Sequence, residues 1–265
     1  MNYTLMNRSS ISTNTKIFLL LFSICFVTYV FTNDGHRSTM DEDFPVHQAT
    51  WLATLTPHPE YVEGESGVYF MYKFYYPEGH RLNNSEGISE RTICEHGLIC
   101  SAALIGHSIA QVPFILINEN FDIITTSEFF SIDDFTSTHY VWWRNSIDPN
   151  FTFMELFYGP TYIALAVGTL FLICRTFEFN IKSSIIVSLL FGFSTMAWAY
   201  SQTTFSSVFI TFAILLSFLL FRKFQKNNSY IYLALSGITL GFGFLSRLDV
   251  VLVILVMSMF ILTLI

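Results

Sequence analysis

The chain has 265 residues, of which 52% are hydrophobic, 17% aromatic and only 12% charged, against about 25% charged in an average soluble domain. That balance excludes an ordinary soluble globular protein and makes lipid the solvent for most of the chain. A net charge of −7 also argues against nucleic acid as a partner, which would need a basic face.

Residues 1–16 are polar, rich in Ser, Thr and Asn, and read as a cytoplasmic N-terminal tail. Residues 17–31 form the first apolar run, behind Arg8 and Lys16. The exit sequence from Phe31 to Gly35 lacks the small-x-small pattern of a signal peptidase site, so the run reads as an uncleaved transmembrane anchor.

Residues 32–152 carry 17 of the 20 carboxylates and all seven histidines, with only five basic residues. Lys and Arg of short loops stay on the cytoplasmic side, so this acidic loop is expected to be extracytoplasmic. Residues 43–55 space Phe44, His47, Trp51 and Leu55 along one face of a short amphipathic helix. Residues 67–76 are dense in aromatics and read as a strand or an interfacial helix. Asn83 and Asn150 open Asn-x-Ser/Thr triplets on the same loop. Cys94 and Cys100 share the loop, where a disulfide is permitted by compartment but is not fixed by spacing. Cys25 and Cys174 fall in apolar runs and are expected to pack. Residues 97–117 are apolar but broken by His107, Gln111 and Pro113. Burying such groups in lipid costs on the order of several kcal/mol, so the segment reads as a reentrant or interfacial helix.

Five further apolar runs follow, at residues 153–173, 181–200, 203–221, 230–245 and 250–265. Arg175 and Lys182 bracket one break, and Arg222, Lys223 and Lys226 follow the fourth span. The expected fold is therefore an all-α integral membrane protein of the cell membrane, multi-pass, with about six transmembrane helices. A large extracytoplasmic first loop carries interfacial helices, and residues 153–265 form a bundle of five spans, cut off inside an apolar run as though more chain follows.

Two places could carry chemistry. Asp41, Glu42 and Asp43 lie about ten residues beyond the first span. Three adjacent acids repel one another, an arrangement that suits a general base at the membrane surface; it equally suits a solvated turn at the N-terminus of the next helix. Arg247 with Asp249 sits between two apolar runs on the same expected face. Its planar fork could hold a lipid phosphate, or it could reach the headgroups and pair with Asp249. The histidines show no metal spacing, and no metal or cofactor is expected; His47 alone is kept as a substrate-binding candidate because it follows the acids within one or two helical turns.

Three features together resemble the front half of a GT-C superfamily membrane glycosyltransferase, the broad group that includes protein O-mannosyltransferases and lipid-linked sugar transferases. Asp41 and Glu42 follow the first span; Gly192, Thr195, Tyr200 and Ser201 match a Gly-x-x-Thr-x-x-x-x-Tyr-Ser stretch; Gly237, Gly241 and Arg247 match a Gly-x-x-x-Gly-x-x-x-x-x-Arg segment. The resemblance implies transfer of a sugar from a polyprenyl-phosphate donor to an acceptor protein, lipid or glycan at the extracytoplasmic face of the bilayer. It implies Asp41 as base, Glu42 in support and Arg247 as phosphate clamp; His47 and Asp43, which adjoin that pair in the sequence, are kept as substrate-binding candidates. The loop departs from the family in its length, in the third acid Asp43 and in residues 60–95. A noncatalytic membrane protein whose outer loop binds a ligand or partner, a sensor or assembly subunit, is the alternative. A transporter fits less well, since the later spans hold few ionisable groups.

Overall fold

The computed structural model describes residues 12–33, 43–54, 104–123 and 149–262. Asp41, Glu42, Asn83, Cys94, Cys100 and the aromatic segment 67–76 lie outside the described residues. Every regular element among the described residues is a helix, and no strand occurs among them.

Helix α1 (Thr13–Thr32) opens with Ser12 accepting from the Thr15 amide and runs antiparallel to α4 (Pro149–Thr176). Four contacts fix that pairing along its whole length. Arg175 Nε donates to Asn14 Oδ1 at 3.4 Å, the Phe18 ring lies over Gly168, the Phe26 and Phe157 rings stack at 6.4 Å, and Asn33 Nδ2 donates to the Glu155 carbonyl at 2.6 Å. Near the Asn33 end, the buried Tyr29 hydroxyl donates to the Gly192 carbonyl at 2.9 Å and so ties α1 to α5 (Ile181–Ser194) as well.

α5 faces its neighbours with Ser184, Ser188 and Gly192, all buried and one turn apart. Small residues let helix backbones approach where lipid supplies no hydrophobic drive for association. The span expected over residues 181–200 is in fact two helices, α5 and the short α6 (Met196–Tyr200). Thr195 makes the break: its backbone is extended, its Oγ1 accepts from the Ala197 amide, and the same hydroxyl donates to the Phe191 carbonyl. A side chain that satisfies both orphaned helix ends makes the interruption cheap.

α7 (Ser206–Asn227) and α8 (Tyr230–Ser246) form a hairpin turned at Asn228, which takes the left-handed conformation with φ 52°. Ser217 and Ser236 clasp the pair, each hydroxyl 2.9 Å from the other residue's carbonyl. A 3-10 turn (Leu248–Val250) leads to α9 (Val251–Leu262) at the rim.

Two helices lie outside this sequence of long elements. α2 (Asp43–Thr54) occupies the residues where the amphipathic pattern predicts a helix, and α3 (Ile105–Phe121) falls in the interrupted segment, shifted a few residues C-terminal to it. α3 contains Pro113, which removes the amide that would reach the Ile109 carbonyl. The next carbonyl, that of Ala110, gains a bond from the Tyr162 hydroxyl at 2.9 Å.

Three helical segments, Thr13–Thr32, Phe153–Thr176 and Ser206–Asn227, are long and apolar enough to cross a membrane, and three apolar helices are shorter. The exterior agrees with a lipid solvent: Leu20, Ile186, Ile238, Val256 and Met259 are all more than half exposed. Soluble monomers rarely present so much contiguous apolar surface. The main core collects side chains of α1, α2, α3, α4, α6 and α7, with Ile115, Met154, Tyr158 and Ile163 almost wholly buried; Cys25 and Cys174 are both buried thiols.

Candidate functional site

The two ends of the bundle differ in chemistry. At one end Arg175 reaches Asn14 and the Phe179 carbonyl, Arg222 stacks 4.3 Å above the Phe177 ring, and Lys223 lies over Tyr232. Lys16, Lys182 and Lys226 occupy the helix turns beside them. This is the basic end.

At the opposite end α2, α3, the start of α4, the link between α6 and α7, and the end of α8 converge. Gly106 is what brings α3 onto α8: a Cβ there would lie 2.7 Å from the Leu245 carbonyl carbon and 2.8 Å from the Phe242 oxygen. Gly159 does the same for α4, where a Cβ would meet the Ser201 oxygen at 2.3 Å and the Thr203 oxygen at 2.7 Å. Both approaches are backbone against backbone.

The polar groups so enclosed come from regular spacing. His107 and Gln111 are one turn apart on α3, and Tyr158 and Tyr162 are one turn apart on α4, so each pair shares a helix face. His107 Nε2 lies 2.8 Å from the Thr204 carbonyl oxygen and 3.2 Å from the Gln111 side-chain amide. The Tyr158 ring is 5.7 Å from the imidazole, and Phe114 meets Tyr158 edge-on at 5.6 Å. The Thr204 carbonyl precedes α7, outside the regular helical ladder, and is therefore open to an accepting role.

Burial sets the electrostatics. His107 is 4% exposed, and desolvation pushes its imidazole down to about 4, partly opposed by the Thr204 hydrogen bond. The ring is thus neutral near pH 7. An imidazole so weakly basic is a poor proton acceptor, and the cluster works as a neutral hydrogen-bonding anchor.

Of the residues singled out in the sequence, Asp43 is the first residue of α2 and His47 lies one turn further on. α2 is seated by buried Pro45, Val46 and Ala49, and by Ser108 Oγ donating to Gln48 Oε1 at 2.5 Å. Arg247 follows α8 at the same end of the bundle and pairs with Asp249 at 2.8 Å, with both side chains about half exposed. The structure thus seats α2, which carries Asp43 and His47, on α3, and α3 in turn meets the end of α8 just before Arg247. Asp41 and Glu42 are outside the described residues. Among the described residues no three His, Cys, Asp or Glu side chains converge as metal ligands.

The His107, Gln111 and Tyr158 cluster is what the sequence reading did not single out. Its signal was present as two polar residues four apart in an apolar stretch. No protein-family model, curated protein or solved structure matches the chain.

Proposed function

We propose that this chain is a polytopic glycosyltransferase of the GT-C kind, moving a sugar from a polyprenyl-phosphate donor to an acceptor at the extracytoplasmic membrane face. In this reading about six helices cross the cell membrane with the basic end in the cytoplasm, as the positive-inside rule requires. Residues 32–152 then lie outside.

The observation that carries the reading is the seating of α2. Its first residue closes the acidic run Asp41, Glu42 and Asp43, and the helix is packed on α3 at the end of the bundle remote from the basic residues. Arg247 ends α8 at that same end. If that end lies at headgroup height, as the reading requires, the acidic run and the guanidinium are available where a lipid-borne donor presents its anomeric carbon.

The chemistry follows from those groups. Asp41 takes the proton of the acceptor hydroxyl, with Glu42 in support, as the acceptor oxygen bonds to the anomeric carbon. The bond from that carbon to the carrier phosphate breaks, and the polyprenyl phosphate leaves with the electron pair. Arg247 exchanges Asp249 for the departing phosphate, at small cost because a half-exposed ion pair is worth about 0–1 kcal/mol. His47 and Asp43 are assigned to substrate contact. Positioning and charge stabilisation supply the rate.

Membranes containing the full chain, offered a panel of polyprenyl-phosphate sugars, test this. Asp41→Asn is expected to abolish transfer while leaving expression and membrane insertion intact. Full activity in that variant removes Asp41 from the mechanism, and no transfer by the unaltered chain from any donor favours the noncatalytic reading.

A further inference from the structure

Two partners meet at one atom of the buried cluster. His107 Nε2 is 2.8 Å from the Thr204 carbonyl oxygen and 3.2 Å from the Gln111 amide atom placed as nitrogen. A neutral imidazole nitrogen either carries a proton and donates, or lacks one and accepts. The carbonyl can only accept, so the shorter contact requires Nε2–H; a lone pair held 2.8 Å from that oxygen would be repelled. A protonated Nε2 cannot accept from an amide N–H. The amide atom facing the ring must then be the oxygen, and the side-chain amide is turned by half a rotation, since oxygen and nitrogen are assigned there by their partners.

The turn changes what the cluster offers. The far amide atom of Gln111 and the Tyr158 hydroxyl are both buried with no hydrogen-bond partner among the described residues, and both residues are 0% exposed. With the amide turned, that far atom is an NH2 donor. A buried polar group left unpaired is destabilising, so two such groups near one imidazole are expensive unless shared.

We infer that Gln111, whose amide lies 3.2 Å from His107 Nε2, and Tyr158, whose ring is 5.7 Å from the imidazole, form an internal site for one acceptor oxygen, that of a single water molecule. The Gln111 NH2 donates to it, and the Tyr158 hydroxyl completes its bonding. Interior waters commonly satisfy such otherwise unpaired groups. The occupant is neutral because the imidazole beside it is uncharged, and it is small because none of the three residues is more than 4% exposed. This water pins α3 to α4, beside the His107 hydrogen bond to the Thr204 carbonyl that ties α3 to the link ahead of α7. The inference stands independently of the transfer reading.

The test uses the full chain in lipid nanodiscs. Tyr158→Phe and Gln111→Met are each expected to lower the thermal midpoint by several degrees. The double variant is expected to lose less than the sum, because the water is already gone after the first change. A midpoint unchanged or raised by either single variant overturns the proposal, since deleting a truly orphaned group should cost nothing; additive losses overturn it too. On the unaltered protein, nitrogen-15 resonances of labelled histidine, assigned by their loss in His107→Gln, should report the Nε2–H tautomer. Finding the proton on Nδ1 would remove the turned amide and the site with it.

Discussion

Glycine plays opposite parts on the two flanks of this bundle. On the inner flank Gly106 and Gly159 have neighbouring backbone within 3 Å of the place a Cβ would take, so the absence of a side chain is what lets α3 reach α8 and α4 reach the link behind α6. On the rim Gly237 and Gly241 lie four apart on α8, with nothing among the described residues within 4 Å of either Cβ position. The residue is the same and the spacing on the rim looks more like a packing motif. Its meaning in a membrane bundle is set by what stands opposite.

The largest expected effect is at Gly159. Gly159→Ala drives a methyl into the Ser201 and Thr203 carbonyls, where the obstacle is backbone, and should cost roughly 3 kcal/mol or more, read as loss of the folded peak in size-exclusion chromatography after heating. Gly106→Ala should follow at about 1–3 kcal/mol for the same reason against α8, by the same readout. Equal tolerance at these two positions and at the rim would erase the contrast.

Acidification comes next, through His107 on the inner flank. His107 ordinarily titrates at 6.5 and is pushed to about 4 in the fold, so between those values the unfolded chain binds the proton and the folded chain does not. The stabilising effect is fully present above about 6.5 and is lost as pH falls toward about 4. The midpoint of the unaltered protein should therefore drop more steeply from pH 7 to pH 5 than that of His107→Gln; matching slopes would deny the imidazole its neutral buried state.

Ser217→Ala should lower the midpoint only slightly, because hydrogen bonds between helices in lipid average about 0.6 kcal/mol. Smallest of all, Gly237→Ala and Gly241→Ala should be silent or stabilise by up to about 1 kcal/mol through helix propensity. A marked loss there would show that the rim is not open.

How far the sequence foretells this arrangement depends on where each feature's cause lies. α1, α4 and α7 are long apolar runs with polar ends, and their extents follow from composition. α2 is legible from its one-sided apolar spacing. The break at Thr195 is not, because a Thr in an apolar run reads as tolerated until its hydroxyl is seen capping the next helix. His107 and Gln111 stand out as costly in lipid, yet their solution rests on a carbonyl 97 residues away and on a tyrosine hidden among apolar neighbours. Such partners are products of tertiary packing, which periodicity does not encode. The acids and Arg247 are visible as charges, while the meeting of α2 with the end of the bundle depends on apolar contacts that any helix of similar pattern could make.

The stitching of α1 has its own consequence. A leader sequence or simple tether can be cut away once the chain is delivered, but this first helix is a wall: it holds α4 from Asn14 to Asn33 and donates through Tyr29 into α5. Proteolytic excision behind Asn33 would leave one side of the barrel of helices unroofed to lipid and strip the Gly192 carbonyl of its donor. The first apolar run is therefore a structural member of the core as well as a stretch of lipid-compatible sequence.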